Sequence, residues 1–140
     1  MLKIEKVFAD FQYVGHKTKK INFYYPEEGI DRDELDFKID FKVIHVNDEG
    51  ENYFGIIRFI THLCISDLCF LEAEIEGAFA GNKDAFDFEV FKKMLRYNGV
   101  ATLSQISRLQ VMNITSNIGM EEPIVVPMIN VVALNDQMVK

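Results

Sequence analysis

The chain has 140 residues, 49% of them apolar and 26% charged. That balance excludes a disordered polymer and gives one domain room for a proper core. The net charge of −7 is uneven, with 17 acidic against five basic side chains in residues 26–89, which argues against nucleic acid because phosphate binding needs a basic stripe.

Two-residue periodicity dominates the first half. A strand is expected from about Phe11 to Tyr25, bending at Gly15 and placing Ile21, Phe23 and Tyr25 on one face. After a longer connection, Pro26–Asp33, residues Leu35–Val43 are apolar at every odd position and charged at every even one. Such a pattern makes a half-buried strand with one wet face. Asn47–Asn52 is a turn cluster. The run Tyr53–Ile65 that follows is apolar on both faces, so both are expected to be covered. Ser66-Asp67 breaks it, and Leu68–Phe79 alternates again, with Glu72, Glu74 and Glu76 on its wet face.

Beyond Asp84 the period changes. Phe88, Phe91, Met94 and Leu95 sit at helical spacing, with Asp84 placed to cap the start. Asn98-Gly99 interrupts, and a second helix carries Val100, Leu103, Ile106 and Leu109 towards Ile118, with Gly119 as its stop. Pro123 and Pro127 keep the next segment extended. A last short helix is expected over Val131–Met138. The expected fold is α+β: a four-stranded antiparallel sheet followed by helices packed on one face, in a single domain spanning 1–140.

Chemistry-bearing motifs are scarce. No nucleophile elbow, phosphate loop or dinucleotide-binding glycine motif is present. No catalytic role, cofactor or metal is expected, and the protein reads as a non-enzyme. His62, Cys64 and Cys69 have poor zinc spacing and lack a fourth ligand. If Ser66-Asp67 centres a hairpin, residues whose numbers sum to 133 face each other, and Cys64 meets Cys69 across the strands. No apolar run approaches the ~18 residues of a membrane span. The first six residues alternate charge with apolar side chains and lack a signal-peptide core. A cytoplasmic location follows, and with it the expectation that both cysteines are thiols. Twelve Phe, five Tyr and six Met exceed what one small core needs, so part of that surface must meet a second copy or another chain.

The C-terminal third carries a resemblance. Asn98–Leu103, the helix running to Gly119, and Glu122–Leu134 resemble the end of the SecB family, with Pro127, Asn130 and Val131 filling a Pro-x-x-Asn-hydrophobic pattern. Thr18–Phe23 is similar to the end of that family's first strand, and Glu76-Gly77-Ala78-Phe79 to its fourth. The shared element order covers nearly the whole chain. The resemblance implies a homotetramer, a dimer of dimers, that holds unfolded or nascent polypeptides in apolar grooves without ATP. Among the export chaperones it also implies delivery to the translocation ATPase SecA. Lys20 and Tyr24 stand where those proteins place acids for docking SecA, whereas Glu72 keeps an acid and is the partner-docking candidate. The resemblance to the export proteins would place a polar tail after the last helix, and none is expected after Met138-Val139-Lys140. A chaperone holding the antitoxin of a toxin–antitoxin pair is the alternative, as is a non-chaperone oligomeric adaptor.

A groove for extended chains needs an adaptable loop and an apolar wall. The connection after the first strand offers the loop, with Tyr24, Tyr25 and Ile30 at its edges. The second helix offers the wall through Leu109, Met112 and Met120, since methionine repacks readily. These six are the expected client-binding residues. The acidic middle of the chain would favour clients with basic flanks.

Overall fold

The computed structural model describes residues 9–118, 120 and 122–139. Period-two segments become four strands, β1 (Phe11–Phe23), β2 (Leu35–Asn47), β3 (Asn52–Ile65) and β4 (Leu68–Asn82). They form one antiparallel sheet in the order β1-β4-β3-β2. The connection between β1 and β2 therefore carries the chain from one edge of the sheet to the other. The expected bend near Gly15 is a bulge in which Val14 has no partner on β4, an extra residue that twists an edge strand locally. At the far end of β1 the strand stops at Phe23, short of Tyr24 and Tyr25.

Helices follow. α1 (Phe88–Met94) is capped by Asp87, whose carboxylate accepts the Val90 amide at 2.9 Å. Asp87, not Asp84, is thus the cap, because it lies three residues ahead of a free first-turn amide. The expected interruption at Asn98-Gly99 is a π-turn (Leu95–Gly99) that runs directly into α2 (Val100–Asn117). A π-turn inserts one residue and re-aims the axis without breaking the helix. Gly119, expected to stop α2, lies outside the described residues. α3 (Val131–Val139) closes the chain; the Asn130 side chain accepts the Ala133 amide at 3.0 Å.

The helices cover one face of the sheet, as expected. Odd-numbered β3 residues from Tyr53 to Leu63 and their β4 partners are buried beneath them, and two clusters fill the core. The first joins Ile57, Phe59, Ile75 and Phe79 of the sheet to Phe91, Leu95, Val100 and Leu103. Close approach of α2 needs a gap in the sheet, and Gly77 supplies it: a methyl group there would collide with buried Leu103. The second cluster joins Leu63, Phe70 and Leu71 to Val111, Ile124 and Val126. The other face of β3, with Phe54, Ile56 and Ile60, is half-buried, so the expectation that both faces are covered holds on one side only within this chain.

Buried polar bonds lock the layers. Thr61 and Ser107 share a hydroxyl bond of 2.7 Å between β3 and α2. Thr115, fully buried on α2, donates to the Val111 carbonyl at 2.9 Å and accepts the Ile124 amide at 2.8 Å, fastening the extended segment that follows the helix. Thr115→Val should leave that buried amide unsatisfied and lower stability by about 1–3 kcal/mol. Urea unfolding should show the loss, and Thr115→Ser, which keeps the hydroxyl, should recover most of it.

Candidate functional site

The end of the sheet where β1 stops and β3 turns into β4 builds a cavity of about 740 Å³, lined by Tyr24–Gly29, Glu34, Ile65, Ser66 and Leu68. Three local features shape it. First, a two-residue turn at Ser66-Asp67 joins β3 to β4, with Ser66 at φ +53°, a left-handed conformation that costs a non-glycine residue about 1–2 kcal/mol. Second, Phe70 is an extra residue in β4, unpaired between Leu63↔Leu71 and Cys64↔Cys69. On its other side Phe70 continues the β1–β4 register past Phe23↔Leu71: its carbonyl accepts the Tyr24 amide at 3.0 Å and so ties the hairpin to the tyrosine segment. Third, the connection after Tyr25 is built from short-range bonds. The Gly29 amide donates to the Pro26 carbonyl at 2.9 Å, and Asp31 caps the single helical turn Arg32–Glu34. The Arg32 guanidinium donates to the carbonyls of Glu122 and Pro123.

Tyr24 and Tyr25 are 48% and 54% exposed at this cavity, surrounded by the carboxylates of Glu27, Glu28 and Glu34. Large exposed rings beside a concavity offer apolar area with little rotamer entropy to lose. The acids add attraction for cationic groups.

Of the six expected client-binding residues, the structure brings only Tyr24 and Tyr25 to this cavity. Ile30 and Met120 are half-buried and pack against the second core cluster; neither lines the cavity. Met112 is half-buried on α2 and Leu109 is 61% exposed there; neither lines the cavity. Ile65 and Leu68 line it and were not anticipated. Their signal was present in the hairpin register, which makes them neighbours flanking the turn.

Cys64 and Cys69 are register partners, as the turn at Ser66-Asp67 required, with Cα atoms 3.8 Å apart. The expectation of free thiols is corrected: the two form a disulfide. That expectation came from an assumed compartment, whereas the hairpin alone holds the two side chains against each other. Among the described residues no group of three or more metal-ligating side chains comes together.

Glu72 lies on the helix-free face of the sheet, where Lys20 Nζ approaches it to 3.2 Å and His62 Nε2 to 3.6 Å. Arg58 and Glu76 pair nearby at 3.5 Å. The acidic stripe of β4 is therefore interleaved with bases from both neighbouring strands. Lys20, hydrogen-bonded to it, holds the Glu72 carboxyl below the usual glutamate range; His62 adds to this, and partial burial opposes it.

Comparison with known proteins bears on fold. No family model and no curated protein sequence matches the chain. Among solved structures, the SecB-like chaperone Rv1957 of Mycobacterium tuberculosis, in complex with a ChAD peptide from the HigA1 antitoxin, superposes with a TM-score of 0.61 at 16% identity, covering 90% of this chain and 92% of that one. A protein of unknown function from Streptococcus agalactiae aligns at a TM-score of 0.44 and 13% identity over 84% of this chain and 96% of that one. The fold is SecB-like: a four-stranded antiparallel sheet with helices on one face.

A depressed carboxyl pKa stabilises the fold above the unfolded-state value, and the gain is lost as pH falls through the folded-state value. A carboxyl NMR titration should place the Glu72 midpoint below the usual glutamate range, and Lys20→Met should move it upward. Because the pair is largely solvated, Lys20→Met should change stability near neutral pH by no more than about 1 kcal/mol.

Proposed function

We propose that the protein is an ATP-independent holdase that binds apolar segments of non-native polypeptides, with the cavity at Tyr24 and Tyr25 as its client-binding surface. The observation that carries this reading is the concavity itself: exposed aromatic rings, flanking aliphatic side chains and a rim of carboxylates at one end of a SecB-like sheet. Reversible burial of a client's apolar residues there withdraws it from aggregation by mass action. The carboxylates favour segments that carry Lys or Arg beside the apolar residues. No covalent chemistry is required.

Assembly into a homo-oligomer, a dimer of dimers, belongs to the same proposal. Tyr13, Val14 and Ile21 are exposed on the edge strand β1, and Leu109 is exposed on α2. The outer edge of β1 pairs with no strand among the described residues, and such an edge with bare apolar side chains is a surface that a second copy can cover.

The client could be a general unfolded chain or one dedicated segment. The antitoxin peptide held by the mycobacterial SecB-like chaperone favours a dedicated segment, such as the exposed tail of an antitoxin. Delivery to SecA through Glu72 has less support, because Lys20 and His62 already engage that carboxylate.

Suppression of aggregation of a chemically denatured client, followed by light scattering, tests the reading. The substitutions Tyr24→Ser, Tyr25→Ser and Leu68→Ser together should weaken protection by roughly ten- to a hundredfold, since each exposed apolar contact contributes roughly 0.5–1 kcal/mol. The oligomer's sedimentation should stay unchanged. Undiminished protection would move the client surface elsewhere.

A further inference from the structure

The chain contains two cysteines, and both sit in the hairpin that walls the candidate site. Three observations make their disulfide more than a staple. The first is its reach: it encloses only four residues, Ile65 to Leu68, which the two-residue turn and the ladder already bring together. A bond across so short a loop restrains the unfolded chain far less than a long-range one. The second is what lies on either side of it. The Phe70 bulge interrupts the ladder, so the tip beyond it has two register pairs, Cys64↔Cys69 and Ile65↔Leu68. It also holds Ser66 in the left-handed region. The covalent bond therefore joins the strands just past the point where the ladder is weakest. The third is access: Cys64 is buried, but Ser66, Asp67, Leu68 and Cys69 are all exposed. Thiol–disulfide exchange needs one reachable sulfur.

Three of the four residues inside that loop are also residues of the cavity. Ile65, Ser66 and Leu68 line it opposite the tyrosine segment, and the bulged Phe70 carbonyl bonds the Tyr24 amide. We propose that the Cys64–Cys69 disulfide is a redox latch that sets the order of the cavity wall, and through it the affinity for an apolar segment. The affinity half of this rests on the client-binding role given above to Tyr24 and Tyr25; the ordering half does not.

The reductant is a dithiol. One of its thiolates attacks the sulfur of Cys69; the S–S bond breaks, and the Cys64 sulfur leaves as a thiolate and takes up a proton. The second thiolate of the reductant then attacks its own sulfur in the mixed disulfide, releasing Cys69, which takes the second proton. Two electrons and two protons pass to the protein, and the dithiol becomes a disulfide. The tip is then held by its two register pairs alone, so Ile65 and Leu68 must be ordered again whenever a segment binds. Loss of that preorganisation weakens binding by about fivefold, the equivalent of re-ordering one or two side chains.

The test compares three preparations of the full chain: oxidised wild type, wild type reduced with dithiothreitol, and Cys69→Ser, which changes an exposed position and leaves the buried one intact. Hydrogen exchange is read across β3 and β4. Anisotropy then measures binding of a fluorescein-labelled, cysteine-free peptide of Phe, Leu and Lys residues. The latch predicts that exchange at residues 65–69 rises at least several-fold in both the reduced protein and Cys69→Ser. Exchange in the rest of the ladder stays unchanged, and the peptide binds both about fivefold more weakly. Equal exchange at residues 65–69 in the two redox states would overturn the latch whether or not peptide binds. So would faster exchange throughout the sheet, which would make the bond a fold staple, or altered exchange with equal affinity. Peptide bound by none of the three preparations would instead contradict the proposed holdase function.

Discussion

Everything in this molecule hangs on the β3–β4 ladder. It runs from Asn52↔Asn82 to Ile65↔Leu68 and occupies the centre of the sheet, with β1 and β2 added at its two sides. Because side chains alternate across a strand, one register decides two surfaces at once. One face presents Ile57, Phe59, Leu63, Ala73, Ile75 and Phe79 to the helices. The other presents Arg58, His62 and the three glutamates of β4. A slip of one residue would exchange the two faces and bury the glutamates.

Two departures from regular pairing turn this ladder into a site. Gly77 leaves room for Leu103, which lets α2 sit close and fixes the core at one end. At the other end the Phe70 bulge puts two successive residues, Phe70 and Leu71, into the core, while the Phe70 carbonyl extends the β1–β4 pairing to the Tyr24 amide. That bond places the tyrosine segment against the hairpin tip. The connection from Pro26 to Glu34 is then drawn across to the segment after α2 by Arg32. The cavity thus follows from how the chain must travel from the β1 edge to the β2 edge of the sheet.

Much of this was legible in the residues. Strict alternation in Leu35–Val43 and in Leu68–Phe79 identifies strands and their wet faces, and helical spacing from Phe88 onwards identifies the helices. The Cys64–Cys69 pairing follows from the position of one turn. It holds only at the tip, because the Phe70 bulge shifts the register for the rest of the ladder, and a bulge has no local signature in a run as apolar as Cys69–Leu71. Sheet order is a non-local property that periodicity cannot carry. Ile30 and Met120 illustrate the same limit at the site: beside a candidate loop and helix they read as groove residues, and their half-buried packing against the second core cluster is set by contacts that local pattern does not carry. Ile65 and Leu68 were hidden in the opposite sense. They look like ordinary strand ends until the crossover brings Tyr24 and Tyr25 beside them.

Contact between client and cavity is the point on which the functional reading turns, and site-directed cross-linking reads it directly. A cysteine-free peptide of Phe, Leu and Lys carrying a benzophenone at one apolar position would be irradiated with the oxidised protein. The adducts would then be located by peptide mass analysis. Cross-links concentrated at residues 24–29 and 65–68, and competed away by an unlabelled denatured protein, are the predicted result. Adducts confined to α1 or α3, or spread evenly over the surface, would contradict a client site at Tyr24 and Tyr25.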